Sequence, residues 1–357
     1  MRSCHTIFPV PLQQQRDERT NSNPYNNMSA ADQDIAVEAS LKATGLGSAA
    51  VVHDNVVPVI DLSHPDAPEQ LWQAATQVGF FTLVGHGMDL QLIHDAFAQS
   101  AAFFQQPLEV KQQQSPLDMS VNCGFEYFAQ VRPSTGVADQ KESLQITARK
   151  GAMESRWPSD AFQDTTQRFL QACHSLAGRI LSLLEERATP QVPKGTLAQS
   201  HTLWADDGQC TLRYLHYPAL SAETTQALLK EGYWRAGPHT DWDNVTLLFQ
   251  QMNQGGLECC ANPRTGEGLY WTAIPPVEGA IAVNIGDMLA RWSDGRLYSN
   301  LHRVRLPEDA SQSRYSIAFF AQSDQKTLIE CQDSEPITAG DYILSRIRSN
   351  FAEDKKS

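Results

Sequence analysis

From about residue 208 onward, the chain consists of short runs of strand-forming residues separated by Gly, Pro, Asp and Asn. Runs of this kind, each followed by turn residues, predict many short strands in an antiparallel sandwich or barrel. The predicted strands with the strongest pattern cover residues 211–217, 245–250, 257–260, 280–285 and 315–321. A chain with this pattern can bury its apolar residues between two sheets.

The preceding part of the chain is predicted to be richer in helix. Apolar residues with helical spacing occur between two strand-like runs and again before Pro107, and a longer amphipathic helix is predicted at about 161–187. Asp66 is a candidate cap for the first of these helices. We therefore expect a helix-rich region at residues 51–200, packed against a β-rich core at residues 201–351.

Residues 1–50 differ from the rest. The run 13–27 is rich in Gln, Asn, Arg and Ser and has almost no apolar content. Such a segment cannot bury enough surface to offset the entropy of ordering, so we expect residues 1–50 to be a disordered leader. The apolar stretch of a secretory signal is missing from it.

Composition excludes several classes of function. Lys and Arg number 28 and Asp and Glu number 41, which gives a formal net charge of −13. This charge disfavours binding to nucleic acid or to an anionic membrane, since both require basic patches. The seven cysteines are irregularly spaced without a CxxC pair, as in proteins of a reducing compartment. We expect a cytoplasmic monomer that acts on a small molecule.

The segment Gly237-Pro238-His239-Thr240-Asp241 is a candidate metal-binding motif. Residues two apart in a strand point to one face, so His239 and Asp241 can approach one ion from the same side. His302, in another β-type run, is the candidate third ligand. Two histidines and one carboxylate on one octahedral face suit Fe(II) and leave positions for an oxo acid and O2. A His-x-Asp sequence alone is a weak signal.

Arg314 and Ser316 also lie two residues apart in an apolar predicted strand. A guanidinium in such a strand is costly without an anionic partner. One interpretation is a structural salt bridge to Asp or Glu. The other is a carboxylate-bearing co-substrate, held by the guanidinium fork and by the Ser316 hydroxyl.

Taken in order, these motifs resemble those of the 2-oxoglutarate/Fe(II) oxygenases of the isopenicillin N synthase-like family. The resemblance extends over almost the whole chain from about residue 57 to 351, and its specificity lies in the ordered set of motifs. The matching segments are 58–62, 79–81, 85–87, 103–107 with Lys111, 141–142, 239–241, 255–258, 284–287, 302–304 and Arg314 with Ser316.

The resemblance implies a distorted jelly roll, the double-stranded β-helix, with helices packed outside. It implies that His239, Asp241 and His302 bind Fe(II), and that Arg314 and Ser316 hold the distal carboxylate of 2-oxoglutarate. The implied activity is oxidation of a small organic metabolite by hydroxylation, desaturation or ring closure. O2 is consumed, succinate and CO2 are released, and ascorbate is expected to support turnover.

The chain departs from the family pattern before the His-x-Asp motif. Many plant members have Asn-Tyr-Tyr-Pro there, whereas this chain has Leu215-His216-Tyr217-Pro218. Tyr217 matches a tyrosine that contacts the co-substrate, but Leu215 replaces the asparagine. His216 is predicted to point away from Tyr217 and to bind no metal. The resemblance also places Phe125, Tyr127, Gln145 and Phe320 near the substrate.

Three alternatives stay open. Isopenicillin N synthase itself is an Fe(II) oxidase that keeps the Arg-x-Ser pair without using 2-oxoglutarate. A non-catalytic small-molecule binding protein can use the same scaffold. Two histidines and one carboxylate also serve zinc hydrolases, although the sequence has no HExxH motif.

Overall fold

The computed structural model describes residues 52–53, 57–131, 136–262, 264, 270–332 and 334–351. The predicted leader at residues 1–50 lies outside these residues. Eight helices are present in the described part of the chain: α1 Ala67–Gln77, α2 Leu90–Phe104, α3 Leu108–Gln114, α4 Asp160–Ala188, α5 Thr196–Gln199, α6 Ala222–Lys230, α7 Asp287–Trp292 and α8 Ala339–Phe351. None of them has both the length and the apolar character that crossing a membrane requires.

The strands form two larger sheets and one hairpin. Their bounds are β1 Val52–His53, β2 Val59–Asp61, β3 Phe80–Val84, β4 Gly124–Tyr127, β5 Glu142–Thr147, β6 Thr211–Tyr217, β7 Ala236–His239, β8 Val245–Gln250, β9 Leu257–Cys260, β10 Trp271–Ala273, β11 Ile281–Ile285, β12 His302–Val304, β13 Arg314–Ala321, β14 Leu328–Cys331 and β15 Ser334–Thr338. The large sheet has the order β2-β3-β11-β8-β13-β6-β5-β4, and the small sheet has the order β1-β10-β9-β12-β7. This arrangement, with helices outside it, confirms the predicted jelly roll.

The two faces of the large sheet have different neighbours, as strand β13 shows. Ile317 and Phe319 are buried in the main hydrophobic core, which also contains the apolar side of α4, and the ring centroids of Phe169 in that helix and Phe249 are 4.8 Å apart. The alternate residues of β13 face the small sheet. Residues of the small sheet pack with Phe80 of the large sheet in a second, smaller core. A cavity lined by residues of both sheets lies between them.

The structure agrees with most predicted elements and corrects some details. The helix predicted at about 161–187 is observed at Asp160–Ala188, and the strands at 211–217, 245–250 and 257–260 have the predicted bounds. A short helix after Pro107 was not predicted. Asp66 stands at the N-cap of α1, but its side chain makes no capping hydrogen bond. Among the described cysteines all are free, and Cys259 and Cys260 are buried in β9.

The two predicted regions share the large sheet. Strands β2 to β5 come from residues 51–200, whereas β6, β8, β11 and β13 come from residues 201–351. The two strands β5 and β6 pair over the whole length of β5, from Glu142 opposite His216 to Thr147 opposite Thr211. The helix-rich region therefore contributes directly to the sheet that carries the cavity.

Candidate active site

Two histidines are brought together by strand pairing. Strand β7 ends at His239 and β12 begins at His302, and these two residues are opposite each other in the antiparallel pair. Their side chains lie on one face because opposite residues in such a pair share a face. The ring centroids are 4.2 Å apart, and the Phe80 ring packs edge-on against His302 at 5.3 Å.

Both imidazoles are oriented by the main chain. His239 Nδ1 lies 2.7 Å from the Gly237 carbonyl oxygen, and His302 Nδ1 lies 3.3 Å from that of Asn300. A carbonyl accepts, so each Nδ1 carries the hydrogen and each Nε2 carries the lone pair. This is the tautomer that a histidine needs in order to bind a metal through Nε2.

Asp241 completes the group, although not from within a strand. The prediction that His239 and Asp241 share one strand is wrong, because β7 ends at His239 and Asp241 lies in the connection to β8. Its carboxylate is fixed from the large sheet: Oδ2 accepts hydrogen bonds from Thr246 Oγ1 at 2.6 Å and Asn284 Nδ2 at 2.9 Å. The other oxygen, Oδ1, lies 3.8 Å from His239 Nε2 and 3.6 Å from His302 Nε2.

The three donor atoms fit a single metal ion. Bonds from a metal to imidazole nitrogen or carboxylate oxygen are about 2.1 Å long, so two donors of one ion lie at most about 4.2 Å apart. Both distances from Asp241 Oδ1 satisfy this limit. In the described part of the chain, His239, Asp241 and His302 form the group of His, Cys, Asp or Glu side chains that could hold a metal. One carboxylate oxygen plus two nitrogens suits Fe(II).

A second carboxylate supports the first. Asp243 is fully buried, and burial together with the charge of Asp241 raises the pKa of its carboxyl well above the usual value. Asp243 Oδ2 lies 2.9 Å from Thr246 Oγ1, which carries a single hydrogen. A protonated Asp243 that donates to Thr246 therefore leaves the Thr246 hydrogen for Asp241. Gly286 permits this packing, since a Cβ there would stand 2.2 Å from Asp243 Oδ1.

Arg314 lies at the other end of the cavity face and is 1% exposed. Its Nε donates to the carbonyl oxygens of Gln254 and Gly255, and its two terminal nitrogens donate to Ser316 Oγ at 3.1 Å and Gln250 Oε1 at 3.2 Å. All of these acceptors are neutral, and none of the described acidic side chains forms an ion pair with Arg314. The structural salt bridge considered from the sequence is therefore not observed.

Tyr217 and Ser316 lie beside this guanidinium. The Arg314 guanidinium carbon is 5.0 Å from the Tyr217 ring centroid, and Tyr217 stands opposite Arg314 in the β13–β6 pair. Burial raises the pKa of the Tyr217 phenol, so the phenol keeps its hydrogen for donation. Burial lowers the pKa of Arg314, yet a guanidinium remains charged. The result is a buried cation with two hydroxyl groups around it.

One cavity between the sheets contains both the His–Asp–His group and the Arg314 cluster. The residues that matter for its chemistry and lie in its lining are Phe80, Gln145, Arg213, Leu215, Tyr217, His239, Asp241, Thr246, Leu248, Asn284, His302, Arg314, Ser316, Ala318 and Phe320. A keto acid held at Arg314 would thus lie in the same space as a metal held by the triad.

Some of the residues placed near the substrate by resemblance line this cavity and others do not. Gln145 and Phe320 are in its lining. Phe125 instead packs against Phe103 and Phe104, and Tyr127 is 48% exposed beside Phe128.

His216 points away from the cavity as predicted. Its ring stacks on Tyr315, and its Nδ1 lies 2.7 Å from Glu142 Oε1. The histidine next to Tyr217 in the sequence is therefore engaged on the other side of the sheet.

Sequence reasoning missed the residues that support the triad. Thr246 and Asn284 hold the Asp241 carboxylate, and neither was predicted to do so, although Asn284 lies in one of the family segments. Asp287 begins the helix α7 and accepts hydrogen bonds from Thr240, Ser299 and Arg346. Thr240 and Asp287 are far apart in the sequence, so no local sequence pattern predicts their contact.

Comparisons with known proteins agree on one family. The model of the 2OG-Fe(II) oxygenase superfamily matches residues 208–323, and the model described as the N-terminal region of non-haem dioxygenases in morphine synthesis matches residues 57–165. The first covers the triad and Arg314, and the second covers α1 to α3.

Curated relatives and solved structures cover most of the chain. A 2-oxoglutarate-dependent dioxygenase of Didymella fabae is 28% identical over 80% of this chain and 90% of the relative. The 2-oxoglutarate-dependent dioxygenase frbA of Dothideomycetidae sp. is 30% identical over 80% of this chain and 86% of the relative. Among solved structures, a full-length Neurospora crassa protein in complex with alpha-KG and thymine aligns with a TM-score of 0.70 at 27% identity, covering 85% of this chain and 99% of that one.

Proposed function

The chain belongs to the 2OG-Fe(II) oxygenase superfamily and is a 2-oxoglutarate- and Fe(II)-dependent dioxygenase, and from this we propose that His239, Asp241 and His302 are its iron ligands. We propose further that Arg314, Ser316 and Tyr217 hold the distal carboxylate of 2-oxoglutarate. Leu215 replaces the asparagine of many relatives, so the keto-acid end would lack a hydrogen bond from this position.

The observation that carries the co-substrate proposal is the environment of Arg314. Burying a guanidinium costs free energy, and neutral acceptors offset only part of this cost. An opposite charge placed beside it offsets more. A carboxylate provides that charge and matches the guanidinium fork in two parallel hydrogen bonds. The Ser316 and Tyr217 hydroxyls supply further donors.

The chain's own residues prepare the reaction. The main-chain carbonyls of Gly237 and Asn300 hold both imidazoles with Nε2 directed to the metal position. Thr246 and Asn284 hold Asp241 so that one oxygen faces that position. Arg314 fixes one end of the keto acid. Bound Fe(II) would supply activation of O2 for oxidative decarboxylation of 2-oxoglutarate and for oxidation of the substrate.

The substrate is proposed to be a small organic metabolite, and thymine, bound in the Neurospora crassa structure, is one candidate to test.

We also propose that the chain divides into a helix-rich region at residues 51–200 and a core at residues 201–351, that it is a monomer, and that it is located in the cytoplasm. Light scattering of the purified chain tests the monomeric state. Fluorescent fusion of the full chain tests the location.

The proposed iron ligands are tested by measuring metal binding and turnover separately. His239→Ala and Asp241→Ala variants are expected to lose Fe(II) binding measured by calorimetry without oxygen, and to lose succinate formation. His216→Gln serves as a matched control, because that ring lies outside the cavity and should leave iron binding unchanged. Variants at His239 or Asp241 that bind and turn over like the parent protein would disprove the proposal.

The 2-oxoglutarate site is tested at Arg314. An Arg314→Gln variant loses charge-assisted hydrogen bonds that contribute about 1.5–3 kcal/mol each, so the KM for 2-oxoglutarate is expected to rise by at least about tenfold. Iron binding should be retained. Arg168→Gln, at an exposed position of α4, controls for the loss of a positive charge. An unchanged KM in Arg314→Gln would show that the co-substrate binds elsewhere, and turnover without any keto acid would favour an oxidase.

A further inference from the structure

A second buried arginine, Arg235, lies close to the end of the cavity that contains Arg314. Arg235 is 5% exposed and directly precedes β7, whose first residue, Ala236, lines the cavity. Its NH2 group donates to the Gln312 carbonyl oxygen at 3.2 Å, just before β13 begins at Arg314. Arg235 therefore lies where the edge strand of the small sheet meets the start of β13 in the large sheet.

The two guanidinium groups are neighbours of the same phenol ring. The guanidinium carbon of Arg235 is 5.8 Å from the Tyr217 ring centroid, and that of Arg314 is 5.0 Å from it. The two carbons are therefore no more than about 11 Å apart. Tyr217 lines the cavity, and Arg235 lies next to this ring and outside the lining. Arg235 can therefore act on a ligand at this end of the cavity through its charge and through Tyr217.

Arg235, like Arg314, has neutral hydrogen-bond acceptors. Its hydrogen bond goes to a main-chain carbonyl oxygen, and none of the described acidic side chains forms an ion pair with it. Asp139 carries a charge that acts on Tyr217, but its carboxylate is bonded elsewhere. It pairs with Lys141 and accepts a hydrogen bond from the Gly237 main-chain nitrogen at 2.8 Å. Two buried positive charges thus surround one phenol, and neither is bonded to a carboxylate of the described chain.

The two positive charges act on each other and on the phenol. Burial and the charge of Arg314 lower the pKa of Arg235 to about 10, from an ordinary value of 12.5, so Arg235 stays protonated at neutral pH. Burial raises the pKa of the Tyr217 phenol, and the charges of Arg314 and Arg235 act in the opposite direction. Like charges in a buried region raise the free energy of the protein, and an anion bound beside them lowers it.

We propose that Arg235 is a positioning residue for the distal carboxylate of 2-oxoglutarate, and that it makes this end of the cavity selective for keto acids with a second negative charge. Arg314, Ser316 and Tyr217 contact the carboxylate. Arg235 adds a positive charge beside the Tyr217 ring and strengthens the hydrogen bond that the phenol donates. This inference rests on the proposed function, because it takes the Arg314 end of the cavity as the 2-oxoglutarate site.

The test compares 2-oxoglutarate with 2-oxopentanoate, which has the same five carbons but no distal carboxylate. Binding to the full chain with Fe(II), in the absence of oxygen, is measured by calorimetric titration. Arg235→Gln is expected to bind 2-oxoglutarate roughly tenfold more weakly than the parent protein, the effect of one charge about 10 Å away at an effective dielectric constant of about 20. Its affinity for 2-oxopentanoate should be unchanged, because that keto acid carries no charge at the distal end.

Three further variants separate the charge of Arg235 from its packing. Arg235→Lys keeps the charge and is expected to retain most of the affinity for 2-oxoglutarate. Arg235→Met, a second neutral replacement, should behave like Arg235→Gln. Arg168→Gln removes a charge from the exposed surface of α4 and should leave both affinities unchanged. A purely structural role of Arg235 would weaken the binding of both keto acids alike, because it would disturb the whole cavity.

Three results would overturn the inference: unchanged affinity for 2-oxoglutarate in both neutral variants, an equal loss of affinity for the two keto acids, or a loss in Arg235→Lys as large as in Arg235→Gln. These results differ from failure of the proposed function. If Arg314→Gln weakens 2-oxoglutarate binding and the Arg235 variants do not, the co-substrate site stands and the role of Arg235 is disproved. If the parent protein binds 2-oxoglutarate no more tightly than 2-oxopentanoate, the Arg314 assignment fails as well.

Discussion

The orientation of individual side chains decides what the triad can bind. Neither histidine presents Nδ1 to a metal, because that nitrogen is engaged with the carbonyl two residues earlier in the chain. Asp241 likewise has one oxygen committed to Thr246 and Asn284. Because these three donor groups are already oriented before an ion binds, binding costs little side-chain entropy. This favours a high affinity for the metal ion.

Thr246 gives a test of this preset geometry. Thr246→Val keeps the shape of the side chain and removes the hydroxyl that donates to Asp241. Loss of a hydrogen-bond partner of a metal ligand typically costs about 10–100-fold in metal affinity or activity, so Fe(II) affinity is expected to fall by about tenfold or more. Calorimetric titration with Fe(II) without oxygen measures it.

Thr246→Ser is the matched control, since it keeps the hydroxyl and removes a methyl group. It is expected to retain most of the affinity. Equal Fe(II) affinities for the valine and serine variants would show that the hydroxyl does not support the Asp241 carboxylate.

At the scale of elements, the C-terminal helix Ala339–Phe351 is joined to the segment that carries His239 and Asp241, two of the three residues of the triad. Arg346 of this helix contacts Asp287, and its NH2 group lies 3.3 Å from Thr240 Oγ1. Thr240, between His239 and Asp241, itself donates to Asp287 at 2.8 Å. Ile343 of the same helix lines the cavity. The helix therefore holds the loop in place and closes part of the cavity wall.

Removing Arg346 should destabilise both the fold and the site. Arg346→Met leaves the partly buried Asp287 carboxylate without its cationic partner, and breaking one half of a fully buried pair typically costs about 3–5 kcal/mol. We expect a loss at or below the lower end of this range in the unfolding free energy measured with urea, because Thr240 and Ser299 still donate to Asp287. Fe(II) affinity should fall as well, because the Thr240 loop loses its support.

The double variant Arg346→Met with Asp287→Asn separates the two effects. It removes the uncompensated charge and should recover much of the stability lost in the single variant. A single variant as stable as the parent protein would mean that the ion pair does not hold the helix to the loop.

At the scale of the whole molecule, His201 links the helical region to the jelly roll. It follows the short helix Thr196–Gln199; its Nδ1 donates to the Leu197 carbonyl at 2.7 Å, and its Nε2 accepts from Asn244 Nδ2 at 2.9 Å. Asn244 precedes β8 and also donates to Ser323 after β13. Burial lowers the pKa of His201 to about 4, from an ordinary value of 6.5.

This depressed pKa predicts how stability depends on pH. Below pH 6.5 the unfolded chain binds a proton at His201 that the folded chain does not bind, so unfolding becomes easier as the pH falls toward 4. Above pH 6.5 the neutral His201 makes its full contribution to the free energy of unfolding. As the pH falls from 6.5 to 4 this contribution is lost, and the loss amounts to roughly 3 kcal/mol at about 1.36 kcal/mol per pKa unit.

The parent protein and a His201→Gln variant are compared by urea unfolding at about pH 7.5, 6 and 5, on either side of the ordinary histidine pKa. The glutamine side chain can donate and accept hydrogen bonds at the same places but does not titrate. The parent protein is expected to lose more stability than the variant over this range. Parallel stability curves for the two proteins would contradict the assignment, since all other titrating groups are common to both.

Much of the jelly roll could be predicted because its signals are local. The strands at 211–217, 245–250 and 257–260 and the helix near 161–187 follow from apolar periodicity and turn residues. The absence of a strand at Asp241 and the helix starting at Asp287 could not be predicted in this way. Both depend on contacts with residues far along the chain or on another strand, such as Arg346 and Thr246.

The chemical groups could be read from the sequence: which residue types can bind Fe(II), and which arginine lies in an apolar strand with a serine two residues later. The ordered motifs determined the family. Three facts could be seen only in the folded chain: which oxygen of Asp241 faces the histidines, that Arg314 has neutral acceptors, and that Arg213 lines the same cavity. These facts depend on strand register and on packing between two sheets, which join residues that are distant in sequence, and no local pattern encodes such distances.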